Sequence, residues 1–184
     1  MKLPYLYLLD INKRITRAWQ QEFAGCPDVE IVYQDFETFM NEHPEVDAIV
    51  SPANSFGIMN GGYDLAITRY FGQGLQKEVQ KTILEEYLGE QPVGTSIVVP
   101  IPGQSGKVLI HTPSMRMPEI IIDPRVIYTC TRTALIAAMK HDVQKMVVPA
   151  FGGLTGQVPA EVVAKMMKGA YEQVVRKVGE VRAE

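Results

Sequence analysis

The chain contains two units in which a short apolar strand is followed by a glycine-containing loop and then by a helix. The first loop, residues 51–64 (SPANSFGIMNGGYD), follows a predicted strand at residues 48–50 and contains no lysine or arginine. The second, residues 149–159 (PAFGGLTGQVP), follows a predicted strand at residues 145–148. Glycines let backbone N–H groups approach a ligand closely, and a helix N-terminus adds partial positive charge. The two loops therefore predict a clamp around a diphosphate.

The remaining segments alternate between apolar strands and amphipathic helices. We predict further strands at residues 3–9, 29–33, 97–99 and 108–110, and helices at residues 12–23, 36–41, 64–87, 124–139 and 160–178. The third helix is expected to break near Gly72 and Gly74. This alternation is typical of an α/β fold whose mixed, mostly parallel sheet is covered on both faces. No linker or repeat divides the sequence, so we predict one domain over residues 1–184.

Charge and composition limit the partners that we expect. The 184 residues carry a formal net charge of −3, which argues against the broad basic surface needed to bind duplex DNA or an anionic membrane. The sequence has no run of about 18 apolar residues and no signal-peptide pattern at its N-terminus. Cys26 and Cys130 are too few for a disulfide framework. We therefore expect a cytoplasmic protein, monomeric or homodimeric, without DNA or membrane partners.

Common signatures of nucleotide and hydrolase sites are missing from the sequence. It has no GxxxxGK(S/T) motif, no GxGxxG motif after a strand and no GxSxG motif. Its histidines, His43, His111 and His141, are scattered without the spacing of metal ligands. Magnesium-dependent phosphoryl transfer is thus not supported, and we expect neither a metal nor a cofactor.

Several stretches, taken in order, resemble the macro domain family. They are DAIVSPAN at residues 47–54, GGYD at residues 61–64 and PAFG at residues 149–152, followed by Gly156 and Pro159. The resemblance covers nearly the whole chain and implies the family's three-layer α/β/α fold. It also implies binding of ADP-ribose, and several members of the family hydrolyse ADP-ribosyl esters.

The resemblance implies roles for three polar residues, each of which has a structural alternative. Asp35 would accept a hydrogen bond from the adenine amino group, or it is simply the N-cap of the next helix. Asn54 would contact the distal ribose, or its side chain bonds to the backbone of its own turn. Asp64 would position and activate a water, or it is a first-turn carboxylate favoured by the helix dipole. Because a helix N-terminus lies beside Asp64, we expect its pKa to be lowered.

The other predicted ligand contacts lie in and around the two loops. They are Phe36, directly after Asp35, then Ala53, Asn60, Gly61 and Gly62 in the first loop, and Phe151, Gly152, Gly153, Leu154, Thr155, Gly156 and Gln157 in the second. Phe151 would pack on the distal ribose or, alternatively, anchor its loop to the core.

The sequence departs from the family's pattern around the predicted pocket. Ser51 stands where the family commonly has asparagine, and the usual run of three or four glycines is reduced to Gly61 and Gly62. Asn60 is expected to supply a left-handed backbone conformation that glycine usually gives. Residues 113–124 form an unusually apolar loop, which could cover the far end of the ligand or meet another protein.

Three functions remain open from the sequence. The first is a hydrolase that removes mono-ADP-ribose from carboxylate side chains or from a related small ester. The second is a module that binds ADP-ribose or another NAD-derived nucleotide without turnover. The third is a structural or interaction protein with a degenerate pocket. The expected partners are accordingly ADP-ribose or an ADP-ribosylated protein or small molecule, and nucleotide binding separates the third function from the other two.

Overall fold

The computed structural model describes residues 1–183, and within them six strands form one sheet. The strands are β1 (Tyr5–Asp10), β2 (Val29–Tyr33), β3 (Ala48–Ser51), β4 (Ile97–Pro100), β5 (Val108–His111) and β6 (Lys145–Val148). They are arranged in the order β2-β1-β6-β3-β5-β4. All neighbouring pairs are parallel except β4 and β5, which are antiparallel. The prediction of a mixed, mostly parallel sheet is therefore confirmed.

Helices cover both faces of the sheet. Within the same residues they are α1 (Lys13–Glu22), α2 (Phe36–Glu42), α3 (Gly62–Phe71), α4 (Gly74–Tyr87), α5 (Arg125–Lys140) and α6 (Ala160–Ala183). Buried side chains of α1, α5 and α6 pack on one face, and those of α2, α3 and α4 pack on the other. The three layers expected from the resemblance are present.

Local signals explain the boundaries of the helices near the predicted site. The side chain of Asn12 accepts a hydrogen bond from the backbone of Arg14 and so caps α1. The break between α3 and α4 occurs at Gly72, whose φ of +96° lies in the left-handed region that favours glycine. The break is close to where the sequence predicts it.

Strand order brings the functional segments to one edge of the sheet. Strand β6 lies between β1 and β3, and all three run in the same direction. The two glycine-containing loops therefore emerge side by side at the carboxyl ends of β3 and β6, next to Asp10 at the end of β1.

None of the helices within residues 1–183 combines the length and the apolar character needed to cross a membrane. The cytoplasmic location stays a prediction.

Candidate functional site

The side chain of Asn54 organises the first glycine-containing loop. Its Oδ1 accepts hydrogen bonds from the backbone N–H groups of Phe56 (3.1 Å) and Ile58 (3.3 Å), and its Nδ2 donates to the carbonyl of Ile58 over 2.9 Å. The residue is buried, with 7% of its surface exposed. The structural alternative for Asn54, bonding to its own turn, is thus present, whereas contact with a distal ribose stays a prediction.

Asp64 is held by a serine from the neighbouring strand. It lies in the first turn of α3, and its Oδ1 accepts a 2.6 Å hydrogen bond from Oγ of the buried Ser51, at the end of β3. Burial raises the pKa of Asp64 to about 7, while the bond from Ser51 acts in the opposite direction. The predicted lowering of this pKa is wrong, because the loss of hydration on burial outweighs the hydrogen bond from Ser51.

The phenol of Tyr63 lies near Asp64 and also near a second carboxylate, that of Asp10. Burial, together with the nearby carboxylates of Asp64 and Asp10, raises the pKa of Tyr63 well above its usual range. Burial also raises the pKa of Asp10, although backbone N–H groups including that of Asn12 favour its charged form. Asp10 is not among the site residues predicted from the sequence. Its place at the end of a predicted strand was the available signal, because ligands of such sheets bind beyond the carboxyl ends of strands.

The start of α3 depends on two adjacent glycines. Gly61 is the N-cap, with an extended backbone, and Gly62 has a φ of +53°. The left-handed conformation expected of Asn60 is therefore wrong for that residue and occurs at Gly62 instead. Asn60, Gly61 and Gly62 are all exposed, whereas Ala53, near the start of the same loop, is buried.

The second loop is closed by its own backbone. Gly152, with a φ of +70°, accepts a 3.0 Å hydrogen bond from the N–H of Val158, and Gln157, with a φ of +54°, donates to the carbonyl of Leu154 over 3.1 Å. Phe151 is fully buried in the core, as its alternative role of anchoring the loop requires. Thr155 is exposed at the surface of the loop, and the contact of Phe151 with a ribose stays a prediction.

The two loops meet where Leu154 lies over Gly62. A Cβ atom built on Gly62 would be 3.2 Å from Cδ2 of Leu154, a side chain that is 75% exposed. In the same loop, a Cβ on Gly153 would contact Ile15 of α1 at 3.2 Å. The absence of side chains at both glycines therefore lets the two loops approach each other and the body of the fold.

The apolar segment at residues 113–124 lies across both loops. The N–H of Ile121 donates to the carbonyl of Gly156 over 3.0 Å, and its Cδ1 would be 2.7 Å from a Cβ at that glycine. At the other end, the N–H of Ser55 donates to the carbonyl of Arg116, whose guanidinium lies 5.0 Å from the centre of the Phe56 ring. The segment thus contacts both glycine-containing loops.

Asp35 is the N-cap of α2. Its carboxylate accepts hydrogen bonds from the backbone N–H and the hydroxyl of Thr38, and these bonds lower its pKa. The residue is exposed, so it is open to solvent while it caps the helix. Phe36, directly after it, is buried, and its ring packs against that of Tyr63 with the centroids 5.3 Å apart. The proposed adenine contact of Asp35 stays a prediction.

Comparison with known sequences identifies proteins that are similar to this chain. The model of the Macro domain family matches residues 50–167 of the chain. An uncharacterised protein of Aquifex aeolicus is 33% identical over 124 residues, which cover 67% of this chain and 71% of that protein. An uncharacterised protein of Aeropyrum pernix is 29% identical over 117 residues, covering 63% of this chain and 59% of that protein.

Solved structures with the same fold include several macrodomains. The Oceanobacillus iheyensis macrodomain with MES bound gives a TM-score of 0.63 at 22% identity, covering 72% of this chain and 71% of that chain. The same macrodomain with ADP gives a TM-score of 0.61 at 23% identity, and the match covers 70% of this chain and 68% of that chain. The macrodomain of Mycobacterium tuberculosis DarG gives a TM-score of 0.59 at 21% identity, and the match covers 70% of this chain and 83% of that chain. These likenesses show the fold.

Proposed function

The chain belongs to the Macro domain family, and from this premise we propose that it binds ADP-ribose and hydrolyses a mono-ADP-ribosyl ester. The observation that carries the proposal is the hydrogen bond from Ser51 to Asp64 directly beside Gly61 and Gly62. It places a carboxyl group whose pKa is about 7 next to a backbone suited to an anion.

Binding would rest on backbone groups of the two loops. The first N–H groups of α3 have no partner within the helix, and the helix dipole favours a negative charge at this end. Leu154 of the second loop lies over Gly62, so a diphosphate held at α3 would also lie beside the second loop. A solved macrodomain with this fold has ADP bound, which supports a nucleoside diphosphate as the ligand.

Hydrolysis would use Asp64 as a general base. Near neutral pH a substantial fraction of this carboxyl group is ionised, and it is a stronger base than an ordinary aspartate. As a water oxygen bonds to the anomeric carbon, Asp64 takes the water's proton and the ester oxygen leaves with the electron pair of the broken bond. A carboxylate is a stable leaving group at neutral pH, so an ester substrate needs no general acid.

One observation favours the alternative of a module that binds without turnover. The amide of Asn54, predicted to contact the reacting ribose, makes hydrogen bonds to the backbone of Phe56 and Ile58 in its own loop. A side chain used in this way stabilises the pocket without having to orient a substrate.

Calorimetric titration with ADP-ribose, and with AMP and NAD for comparison, tests binding first. We expect a micromolar Kd for ADP-ribose, about −8 kcal/mol, and weaker binding of the other two ligands. Absence of binding to all three would contradict both the hydrolase and the binding module, and would leave a structural role.

The variant Asp64→Asn then separates the two functions that involve binding. It keeps the shape of the side chain and removes the base, so we expect turnover of an ADP-ribosylated glutamate peptide to fall about 100-fold or more. The Kd for ADP-ribose should change much less. A wild-type protein that binds ADP-ribose but releases none from the peptide would instead be a binding module.

A further inference from the structure

The hydroxyl of Tyr63 is a buried polar group that the fold leaves without a partner. Its oxygen is shielded from solvent and makes no hydrogen bond to any of residues 1–183. Such a group costs free energy unless a bound molecule satisfies it, so native proteins contain few of them and those few are often functional. The hydroxyl lies at the start of α3, one residue before Asp64.

The surroundings of this hydroxyl limit what can bind to it. The carboxyl groups of Asp64 and Asp10 are near enough to raise the pKa of the phenol further, after burial, so Tyr63 is a hydrogen-bond donor and stays neutral. Its ring is fixed edge-on against the buried Phe36. The ring therefore has a defined position next to Phe36, a predicted ligand contact, and its hydroxyl lies near Asp64, the predicted catalytic aspartate.

We propose that Tyr63 is a ligand-contacting residue and donates a hydrogen bond to a ribose oxygen of the bound nucleotide. The assignment rests on the proposed binding of ADP-ribose. A ribose hydroxyl accepts from the phenol and donates to a carboxylate, so it satisfies Tyr63 together with Asp64 or Asp10. An ionised phosphate oxygen only accepts hydrogen bonds, so in the same position it could satisfy Tyr63 but not an ionised Asp64 or Asp10.

A pair of tyrosine variants tests the assignment. Both Tyr63 and Tyr70 pack edge-on against Phe36, with ring centroids 5.3 Å and 5.8 Å away. The hydroxyl of Tyr70, however, bonds to the exposed side chain of Asn41. Tyr63→Phe and Tyr70→Phe therefore remove one hydroxyl each from comparable rings, and only the first is expected to weaken ADP-ribose binding, by about tenfold.

Titration of each variant with ADP-ribose and ADP, with competition by inorganic pyrophosphate, gives distinct outcomes. If Tyr63→Phe loses affinity for ADP-ribose alone, the contact is assigned to the terminal ribose. If it loses affinity for both ADP-ribose and ADP, the contact is assigned to the adenosine ribose. Unchanged affinity in Tyr63→Phe, or an equal loss for pyrophosphate, overturns the assignment while wild-type binding still supports the proposed function. If the wild-type protein binds neither nucleotide, the proposed function fails and the assignment fails with it.

Thermal unfolding without ligand provides a readout that does not depend on binding. Removing a hydroxyl that lacks a partner leaves every internal hydrogen bond in place, so the Tm of Tyr63→Phe should equal or exceed that of the wild type. A clear fall in Tm would show that the hydroxyl has an internal partner and would overturn the assignment.

Discussion

Oγ of Ser51 and Oδ1 of Asp64 are 2.6 Å apart, and this hydrogen bond joins the end of β3 to the first turn of α3. Two opposing effects act on the same carboxyl group, because burial raises its pKa and the serine lowers it. Burial is the larger effect, and a pKa of about 7 means that the hydrogen bond from Ser51 changes the ionised fraction of Asp64 near neutral pH.

Ser51→Ala should raise the pKa of Asp64 further. The substitution removes the hydroxyl that stabilises the ionised carboxylate and leaves the burial nearly unchanged. We expect an upward shift of this pKa, measured by carbon NMR titration of the Asp64 carboxyl. Ser105→Ala, at an exposed position in the turn between β4 and β5, is the control and should leave the titration where it is. A downward shift in Ser51→Ala would contradict the assigned role of the serine.

Asp64→Asn should stabilise the fold more at pH 8 than at pH 5. The carboxyl titrates near 7 in the folded protein and near 3.9 in an unfolded chain. Between these values the folded state holds more protons, so the contribution of Asp64 to stability falls as pH rises from about 4 to 7. Above pH 7 the free energy of unfolding of Asp64→Asn should exceed that of the wild type by at most about 4 kcal/mol, because the asparagine is neutral.

Chemical denaturation at the two pH values measures this difference. The exposed Asp28, replaced in the same way, is the control and should give the same change in unfolding free energy at pH 5 and pH 8. If Asp64→Asn raises the free energy of unfolding more at pH 5 than at pH 8, the raised pKa of Asp64 is contradicted.

Local sequence signals predict the elements well, and tertiary contacts explain what they miss. The strand predicted at residues 29–33 is found there, and the predicted break near Gly72 separates α3 from α4. The last helix is predicted to end at residue 178 but continues to Ala183, because Gly179 does not adopt the left-handed conformation with which a glycine ends a helix. Element type and order follow from periodicity and from glycine positions.

The chemistry of the site depended on contacts that no local pattern reveals. The sign of the pKa shift at Asp64 is set by burial, which arises only when α3 packs against β3. The left-handed residue is Gly62 and not Asn60, a choice that the sequence leaves open because both residue types tolerate that conformation. The contact of Ile121 with Gly156 joins residues far apart in the chain.

Gly62→Ala should weaken ADP-ribose binding and destabilise the fold by about 1 kcal/mol, because the residue has a φ of +53°. Its new Cβ would also lie 3.2 Å from Cδ2 of Leu154. Gly61→Ala is the matched control, since that residue has a φ of −144° and nothing lies within 4 Å of its added Cβ. Adding Leu154→Ala to Gly62→Ala should recover only the part of the loss due to the close contact.

Urea denaturation and ADP-ribose titration of these variants measure the two effects separately. Equal destabilisation by Gly61→Ala and Gly62→Ala would mean that the left-handed conformation is not the cause.

Gly156→Ala should destabilise the second loop by about 2 kcal/mol or more. The added Cβ would be 2.7 Å from the carbonyl oxygen of Gly152 and 2.7 Å from Cδ1 of Ile121. The Ile121 side chain can turn away, but the Gly152 carbonyl is held by the N–H of Val158. The double variant Gly156→Ala, Ile121→Ala should therefore remain destabilised, by more than Ile121→Ala alone.

Gly179→Ala serves as the control for this experiment. Gly179 lies on the exposed surface of α6, and nothing lies within 4 Å of an added Cβ, so the substitution should raise stability by about 0.5–1 kcal/mol. Urea denaturation gives the unfolding free energy of each variant. If removing the Ile121 side chain restores the stability of Gly156→Ala, the cause is the apolar segment at residues 113–124. The backbone of the second glycine-containing loop would then be flexible enough to move the Gly152 carbonyl away from the added Cβ.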